Sequence, residues 1–467
     1  MIYIFYNEWK NFLRKKLFIF FITFFIMLLA LVTYFSNIQN NEQLRCQSEA
    51  HNHIRSQWNE LDSTNAHSAA HYGTYAFKSN NILNSLDEGV NSVTGVVLRL
   101  EGHKQNDVAF SEISQSIETS KFGKLKPSLL FQFIIPLILI FLTFNSYTSE
   151  ISSGRLKLLI VQGGSPLYIV FGKILTFLSL SFILLLTCIL IQYLFNFSYL
   201  SIDEYFRLII FFLGYLFYYL IIIKLTILLS IIFKNSTSAL SATIIIWLFW
   251  TILLPKTIGN LTESLTPLPT RFELNSNMKE DRSKGIDGHN PSDERRSQLE
   301  KETLLKYNVD SLSQLPINFS GILLQADEEY GNKVWDKHFG HVYSQLKNQK
   351  RNYQLSGFIN PFASLQSLSM GSCGTDLIHH LDFLSKAEIY RRYFVKALND
   401  EYTTVSTDGE NAYLSNNSFF KSINDFNYKG LNFFSSLNYY LFDLLFLIVW
   451  TISLMFFIVF KSRKLIT

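Results

Sequence analysis

Charged residues are scarce: Asp, Glu, Lys and Arg make up 17% of the 467 residues, against about a quarter in ordinary soluble domains. With 48% apolar residues beside it, that deficit argues against a disordered chain and against an ordinary cytosolic domain. Net charge is small too. A formal +4, dispersed along the chain, is too weak for a nucleic-acid-binding protein. Cysteine is nearly absent, with 3 residues in all, so any water-facing domain must be held by its own apolar core rather than by a disulfide framework. Two motifs are also missing. There is no G-x-x-x-x-G-K-[ST] phosphate loop, since Gly172-Lys173 lacks the upstream glycine, and there is no G-x-S-x-G nucleophile turn. The first absence excludes a built-in ATPase and the second counts against a membrane hydrolase.

What is present is aromatic and apolar, with 43 Phe and 24 Tyr. Yet mean hydropathy is only +0.16, too low for a chain made of membrane spans alone, so lipid-embedded and wet sequence must alternate. A hydrocarbon core of about 30 Å takes roughly 20 apolar residues as a helix. Six runs meet that requirement: 17–36, 127–146, 168–195, 206–233, 238–255 and 437–460. The fifth is expected to stop at Pro255. The first is too long, and lacks a small-residue cleavage site, to be a signal peptide.

Basic residues near span ends mark the cytoplasmic side. With the N-terminus inside, Lys10, Arg14, Lys15 and Lys16 of segment 1–16, Arg155 and Lys157 of segment 147–167, Lys234, and Lys461, Arg463 and Lys464 of tail 461–467 all fall inside. Acids there are few, namely Glu8 and Glu150. Lys121, Lys124, Lys126 and Lys256 fall outside and are outweighed. Segments 37–126 and 256–436 then lie outside, and no inside segment is long enough for a catalytic domain. The expected fold class is an α-helical polytopic membrane protein of six spans with a mainly helical, partly β extracytoplasmic domain built from two loops.

In segment 1–16, Ile2, Phe5, Tyr6, Trp9, Phe12 and Leu13 recur at helical spacing opposite Asn7, Glu8, Lys10, Asn11, Arg14 and Lys15. Such a helix suits the membrane interface, aromatics among acyl chains and cations near headgroups. Between spans two and three, Glu150 precedes Ser153-Gly154-Arg155-Leu156-Lys157-Leu158-Leu159, then Gly163-Gly164-Ser165, and Gly172-Lys173 opens the next span. The glycines bracket one short amphipathic turn of helix. This arrangement resembles the permeases of type-2 ABC exporters, bacterial inner-membrane proteins. The resemblance implies that the N-terminal helix, with Trp9 and Lys10, and the loop, with Glu150, Gly154, Arg155, Lys157, Gly163 and Gly164, dock on a separate ABC ATPase. It further implies a dimer, with itself or with a sister permease, and no cofactor on this chain, ATP and Mg2+ being held by the ATPase.

The outer segments extend the likeness. His67, His71, Tyr72, Gly73, Lys78 and Gly89 in the first, and Pro316, Asn318, Pro361, Asp376, His379, Arg391 and Asn399 in the second, resemble a bacterial subgroup of these permeases with a large extracytoplasmic domain of unknown function. Ser79 departs from that pattern, which has proline there. All 10 histidines lie outside. His51 with His53, His67 with His71, and His338 with His341 have spacings that bring copper or zinc to mind, with His67 and His71 the candidate metal pair. A true site needs three or four converging ligands.

Cys188 sits in span three, which leaves Cys46 and Cys373, one per outer segment, as a candidate disulfide. Val334, Trp335, Phe339, Val342 and Leu346 form one helical stripe of the outer core, and Phe383, Ala387, Tyr390, Phe394 and Leu398 another. Alternation at Val96, Leu98 and Leu100 predicts a strand. The charge-dense stretch 278–301 reads as a mobile surface loop. Of the charges in spans, Lys224 lies deep enough to snorkel inward, while Asp443 is expected to line a wet outer vestibule or meet a partner chain. The function expected is that of the non-enzymatic permease subunit of an ATP-driven exporter; the alternative is a membrane-anchored extracytoplasmic binding or assembly protein with a metal-related role.

Overall fold

The computed structural model describes residues 1–467 except 79–80, 107, 109–124, 197–199, 406–413 and 464–467. Ser79, Lys121, Lys124 and Lys464 therefore lie outside the described residues. Helix α1 (Ile2–Arg14) ends where Lys15 turns extended, at φ −87° and ψ 101°. Helix α2 (Lys16–Asn59) then runs unbroken for 44 residues, about 66 Å at 1.5 Å per residue. That is about twice the hydrocarbon thickness. The run 17–36 is thus only the first half of a longer helix, because neither glycine nor proline interrupts it before Asn59. Its polar half leads to α3 (Ala66–Tyr72) and to the antiparallel pair β1 (Thr74–Phe77) and β2 (Val97–Leu100), in which Thr74 faces Leu100 and Phe77 faces Val97.

The bundle continues with α4 (Pro127–Ser152), the short α5 (Arg155–Val161), α6 (Pro166–Asn196), α7 (Ile202–Ile232) and α8 (Ser236–Leu265). Beyond it come α9 (Arg271–Lys284), α10 (Ser292–Tyr307), α11 (Phe319–Leu355), α12 (Pro361–Cys373), α13 (Leu377–Val405) and finally α14 (Leu441–Arg463). Among the described residues six helices are long and apolar enough to cross a membrane: α2, α4, α6, α7, α8 and α14. Helix α7 is central, packing on α4, α6, α8, α12 and α14. Its Tyr215, Tyr218 and Tyr219 are fully buried.

Pro255 does not end α8. A π-turn at Phe249–Leu253 widens the helix just before it, and another at Leu130–Ile134 precedes Pro136 in α4. In the wider register Leu254 N–H bonds Phe249 O and Ile135 N–H bonds Leu130 O. The next carbonyls, Trp250 and Phe131, would take their protons from Pro255 and Pro136, which have none. Side chains replace them: Asn360 Nδ2 donates to Trp250 O at 3.0 Å and Tyr219 Oη to Phe131 O at 2.9 Å. A buried carbonyl without a donor is costly in a medium without water, so each π-turn is matched by a donor from a neighbouring helix.

The described parts of segments 37–126 and 256–436 merge into one helical domain. Thr64 bridges Ser415, and Val90 N donates to Thr375 O at 2.9 Å. Phe383, Ala387, Phe394 and Leu398 of α13 are buried as their spacing predicts. The α11 stripe differs. Val334 is buried, but Trp335, Phe339, Val342 and Leu346 are half-buried and line a groove of about 480 Å³ beside Leu384. The stretch 278–301 is not a loop either: α9 and α10 cover most of it, pinned to α11 by Asp281, which accepts from Lys337 Nζ and His338 Nε2, both at 2.8 Å. Charge density there serves ion pairs on a helix surface. All three cysteines are free. Cys46 is exposed on α2 while Cys373 is buried at the end of α12, so the expected pair does not form.

Lys224 and Asp443 both find partners within the chain. Lys224 does not snorkel; its Nζ donates to Thr451 O of α14 at 2.9 Å. Asp443 does not line a wet vestibule: it is fully buried and its Oδ2 accepts from Gln354 Nε2 at 2.6 Å and Ser367 Oγ at 2.8 Å, while Oδ1 has no donor among the described residues. In both cases a partner from a packed helix replaces water. Helix α14 begins at Leu441 rather than 437, the preceding Phe433–Leu437 forming a separate short helix.

Candidate functional site

One end of the bundle ties α1 to the spans. Phe12 is buried against Phe18, with ring centroids 4.6 Å apart, and against Phe177 of α6 at 5.6 Å. Trp9 Nε1 donates to Ser179 Oγ at 3.0 Å. The helix can approach because residue 172 is glycine: a Cβ there would stand 2.9 Å from Ile4 Cβ. So α1 is half packed on α6 rather than wholly given to acyl chains, while Ile2, Tyr3, Tyr6 and Leu13 remain exposed. At the centre, Lys173 Nζ lies 2.5 Å from Glu8 Oε1 and 3.3 Å from Glu150 Oε1, its side chain only 6% exposed. Glu150 Oε2 also meets Arg155 Nε at 3.2 Å. One ammonium thereby joins α1, the end of α4 and α6, and through Arg155 the start of α5.

From this knot α5 projects outward. Gly154 (φ 70°) and Gly163 (φ 86°) take left-handed backbone at its two ends. Between them Lys157, Leu158 and Val161 are exposed, a mixed apolar and basic face, and Lys10 of α1 is exposed as well. Gly164 is needed for closeness, since a Cβ there would sit 2.7 Å from Leu159 O.

A chain of contacts links the bundle to the helical domain through α12. Helix α12 is almost wholly buried against α7 and α14. Gly214 leaves room for it, since a Cβ there would meet Leu368 at 2.6 Å. Asp87 of the first outer segment accepts from Ser369 Oγ at 2.5 Å, Ser369 Oγ lies 2.9 Å from Tyr215 Oη, and Gln132 Nε2 donates to Tyr215 Oη at 3.2 Å. A second knot joins Asp376 to Lys350 at 3.1 Å and to His379 Nδ1 at 2.6 Å. Burial would raise the Asp376 carboxyl, but the Lys350 ammonium and His379 outweigh it and hold it well below the usual carboxylate range.

With this architecture in place, the sequence comparison decides the family. The family model described as ABC-2 family transporter protein matches residues 2–287, more than half of the chain. The chain belongs to the ABC-2 transporter family. A second model, a domain of unknown function (DUF3526), matches residues 271–429, so this ABC-2 protein carries an additional C-terminal helical domain. No curated protein and no solved structure matches it. As a member of that family it is a multi-pass membrane protein with a permease role, and the family implies a partner ABC ATPase.

In this ABC-2 protein Glu150, Arg155 and the helix bearing Trp9 meet at Lys173, while Lys10 and Lys157 stay on the surface. The outer residues divide by task. Pro361 occupies the first turn of α12 and Asn318 caps α11 through Ser320 N at 2.9 Å. Asn360, beside Pro361, both caps α12 and serves Trp250 O. Gly73 and Gly89 take positive φ, 69° and 50°. Buried Lys78 bonds Asn91 Oδ1 at 2.6 Å and burial takes its ammonium down to about 8. Asn399 Nδ2 donates to Gln325 Oε1 at 3.1 Å, and exposed Tyr72 donates to Gln57 Oε1 at 3.0 Å.

His67 and His71 do come together, and two residues that the sequence pattern does not group with them, His103 and Glu328, join them. His103 brings its ring within 5.3 Å of His67 and 5.2 Å of His71. Its Nδ1 lies 3.0 Å from Glu328 Oε1, and Glu328 is held by Arg391 at 3.0 Å. Nothing in the spacing of His103 or Glu328 announces this, because they come from different outer segments. The two signals available were the Gly102-His103 turn and an acid on the inner face of α11.

Proposed function

We propose that this ABC-2 protein is the membrane subunit of an ATP-driven exporter, with α1 and the Glu150–Ser165 segment forming the surface on which the separate ATPase acts. The observation that carries the reading is the Lys173 knot, which ties α1, α4, α5 and α6 to one another at one end of the bundle. ATP binding by the partner would push on exposed Lys157, Leu158 and Val161, and the fixed ion pairs would pass that push to α4 and α6. In this reading the termini and α5 are cytoplasmic, as the basic residues around them suggest, and the helical domain lies outside the bacterial inner membrane. The polar chain from Gln132 through Tyr215 and Ser369 to Asp87 gives span movement a route to that domain. Transport runs outward through a path completed by a second permease, the same chain or a sister. Isolation of the tagged protein from its native membrane tests the assignment. An ABC ATPase should copurify; an outer domain that works alone as a binding or assembly module would bring none.

A further inference from the structure

We infer that His67, His71 and His103 form a binding site for one first-row divalent cation of the zinc or copper class, held in the outer domain and separate from the transport reading. The argument starts with local backbone. Asn65 caps α3 by accepting from His67 N at 2.9 Å and Ser68 N at 3.3 Å. That fixes the helix register, and His67 and His71 then stand one turn apart on the same face. Their Nε2 atoms are 3.2 Å apart. Two nitrogens bound to one tetrahedral ion at 2.0–2.1 Å stand about 3.3 Å apart, so the pair already has the spacing of ligands on a shared ion.

The third histidine is placed by the chain rather than by chance proximity. Gly102 N donates to Ala70 O at 2.9 Å, seating the turn on α3 between the two histidines. His103 follows with φ 62°, an uncommon backbone for a side chain of its size. Both its backbone N and its Nδ1 meet Glu328 Oε1, the latter at 3.0 Å. A ring that gives its Nδ1 proton to a carboxylate keeps the Nε2 lone pair for a metal, the arrangement found behind most metal-binding imidazoles. Glu328 is itself 4% exposed and paired with Arg391, which is 1% exposed. The support behind His103 is therefore buried.

One ligand nitrogen from each histidine lies within 4.8 Å of the others, so ring rotation brings the third onto an ion already centred between the first pair. His67 and His103 are half-buried and His71 exposed, which leaves one side open to water or a fourth ligand. Three imidazoles without thiolate or carboxylate in the inner set suit zinc or copper(II), not calcium or magnesium. The ion would fasten α3 and the Gly102-His103 turn of the first outer segment, through Glu328 and Arg391, to α11 and α13 of the second.

The test uses the full-length protein in detergent, stripped with a chelator and titrated separately with Zn2+ and Cu2+. One saturable site per chain is expected for each ion, with Cu2+ bound more tightly than Zn2+ as for any imidazole site. His67→Ala and His71→Ala should abolish it, and His103→Ala should remove the visible absorption of tetrahedral Co2+ loaded in its place. Glu328→Gln should weaken binding about 10–100-fold with stoichiometry kept, and His338→Ala, whose imidazole is tied to Asp281, should change nothing. His71 is exposed, so thermal unfolding of metal-free His71→Ala should match the wild type and keep the test readable if Glu328→Gln fails to fold. Absence of saturable binding by either ion, or binding that survives the His67→Ala, His71→Ala double substitution, overturns the assignment.

Discussion

Substituting Lys173 with methionine tests how α1 is held. The ammonium is 6% exposed and lies between Glu8, 20% exposed, and Glu150, 14% exposed. Its loss leaves two nearly buried carboxylates facing one another. Removing one partner of a buried ion pair costs about 3–5 kcal/mol, and because Glu150 keeps Arg155 at 3.2 Å, the low end of about 3 kcal/mol applies here. That energy is concentrated in one contact of α1 with the spans, so it should appear as local opening rather than global unfolding. Hydrogen exchange followed by mass spectrometry reads it directly. At 1.4 kcal/mol per decade, amides of residues 2–14 should exchange about 100-fold faster in Lys173→Met, with α7 unaffected. Adding Glu8→Gln and Glu150→Gln to Lys173→Met removes the stranded charges and should restore most of the protection. Unchanged exchange in α1 would refute the reasoning, as would faster exchange that the neutral triple variant does not reverse.

Two other expectations follow from the same physics. Asn360→Ala removes both the donor to Trp250 O and the cap of α12, about 1–3 kcal/mol for the stranded carbonyl plus about 1 for the cap; Asn360→Asp keeps the cap acceptor but not the donor, so a wild-type melting temperature for Asn360→Asp would show that the π-turn carbonyl needs no partner. Acid should weaken the helical domain in two windows. Burial, then the charge of Lys78, takes His380 down to about 4, so its contribution is full above the unfolded value near 6.5 and is lost as pH falls from there toward 4. Glu328 is pushed up by burial but taken down to about 2 by His103 and Arg391, so its contribution is lost between about 4.5 and 2; each amounts to about 3 kcal/mol. Denaturation of the wild type and His380→Leu across pH 7 to 4 should show the upper window only in the wild type.

The parts of this fold that could be read from sequence are those set by periodicity and hydropathy along one stretch of chain. The six apolar helices, the amphipathic Ile2–Arg14, the strand at Val97–Leu100 and the α13 core stripe are of that kind. The misreadings share a cause. Pro255 breaks an isolated helix, but Asn360, more than a hundred residues on, supplies the missing donor. Lys224 would seek water if α14 did not present Thr451 O, and Asp443 if Gln354 and Ser367 were absent. The stretch 278–301 looks like a loop until Lys337 and His338 of α11 are placed beside Asp281. In the site itself, Glu150 and Gly154 were visible as a local motif, whereas the link from Lys173 to Glu8 needed the packing allowed by Gly172. The same holds for His103 and Glu328.

The central claim is that α1 and the α5 segment transmit ATP-driven force. The most direct measurement is the ATPase activity of the purified complex, in lipid, with and without deletion of residues Gly154–Gly164. The account predicts that the deletion leaves the helices of the bundle folded but uncouples the ATPase from the membrane subunit, changing its activity to that of the free ATPase. Activity indifferent to the deletion, with the complex still assembled, would contradict it.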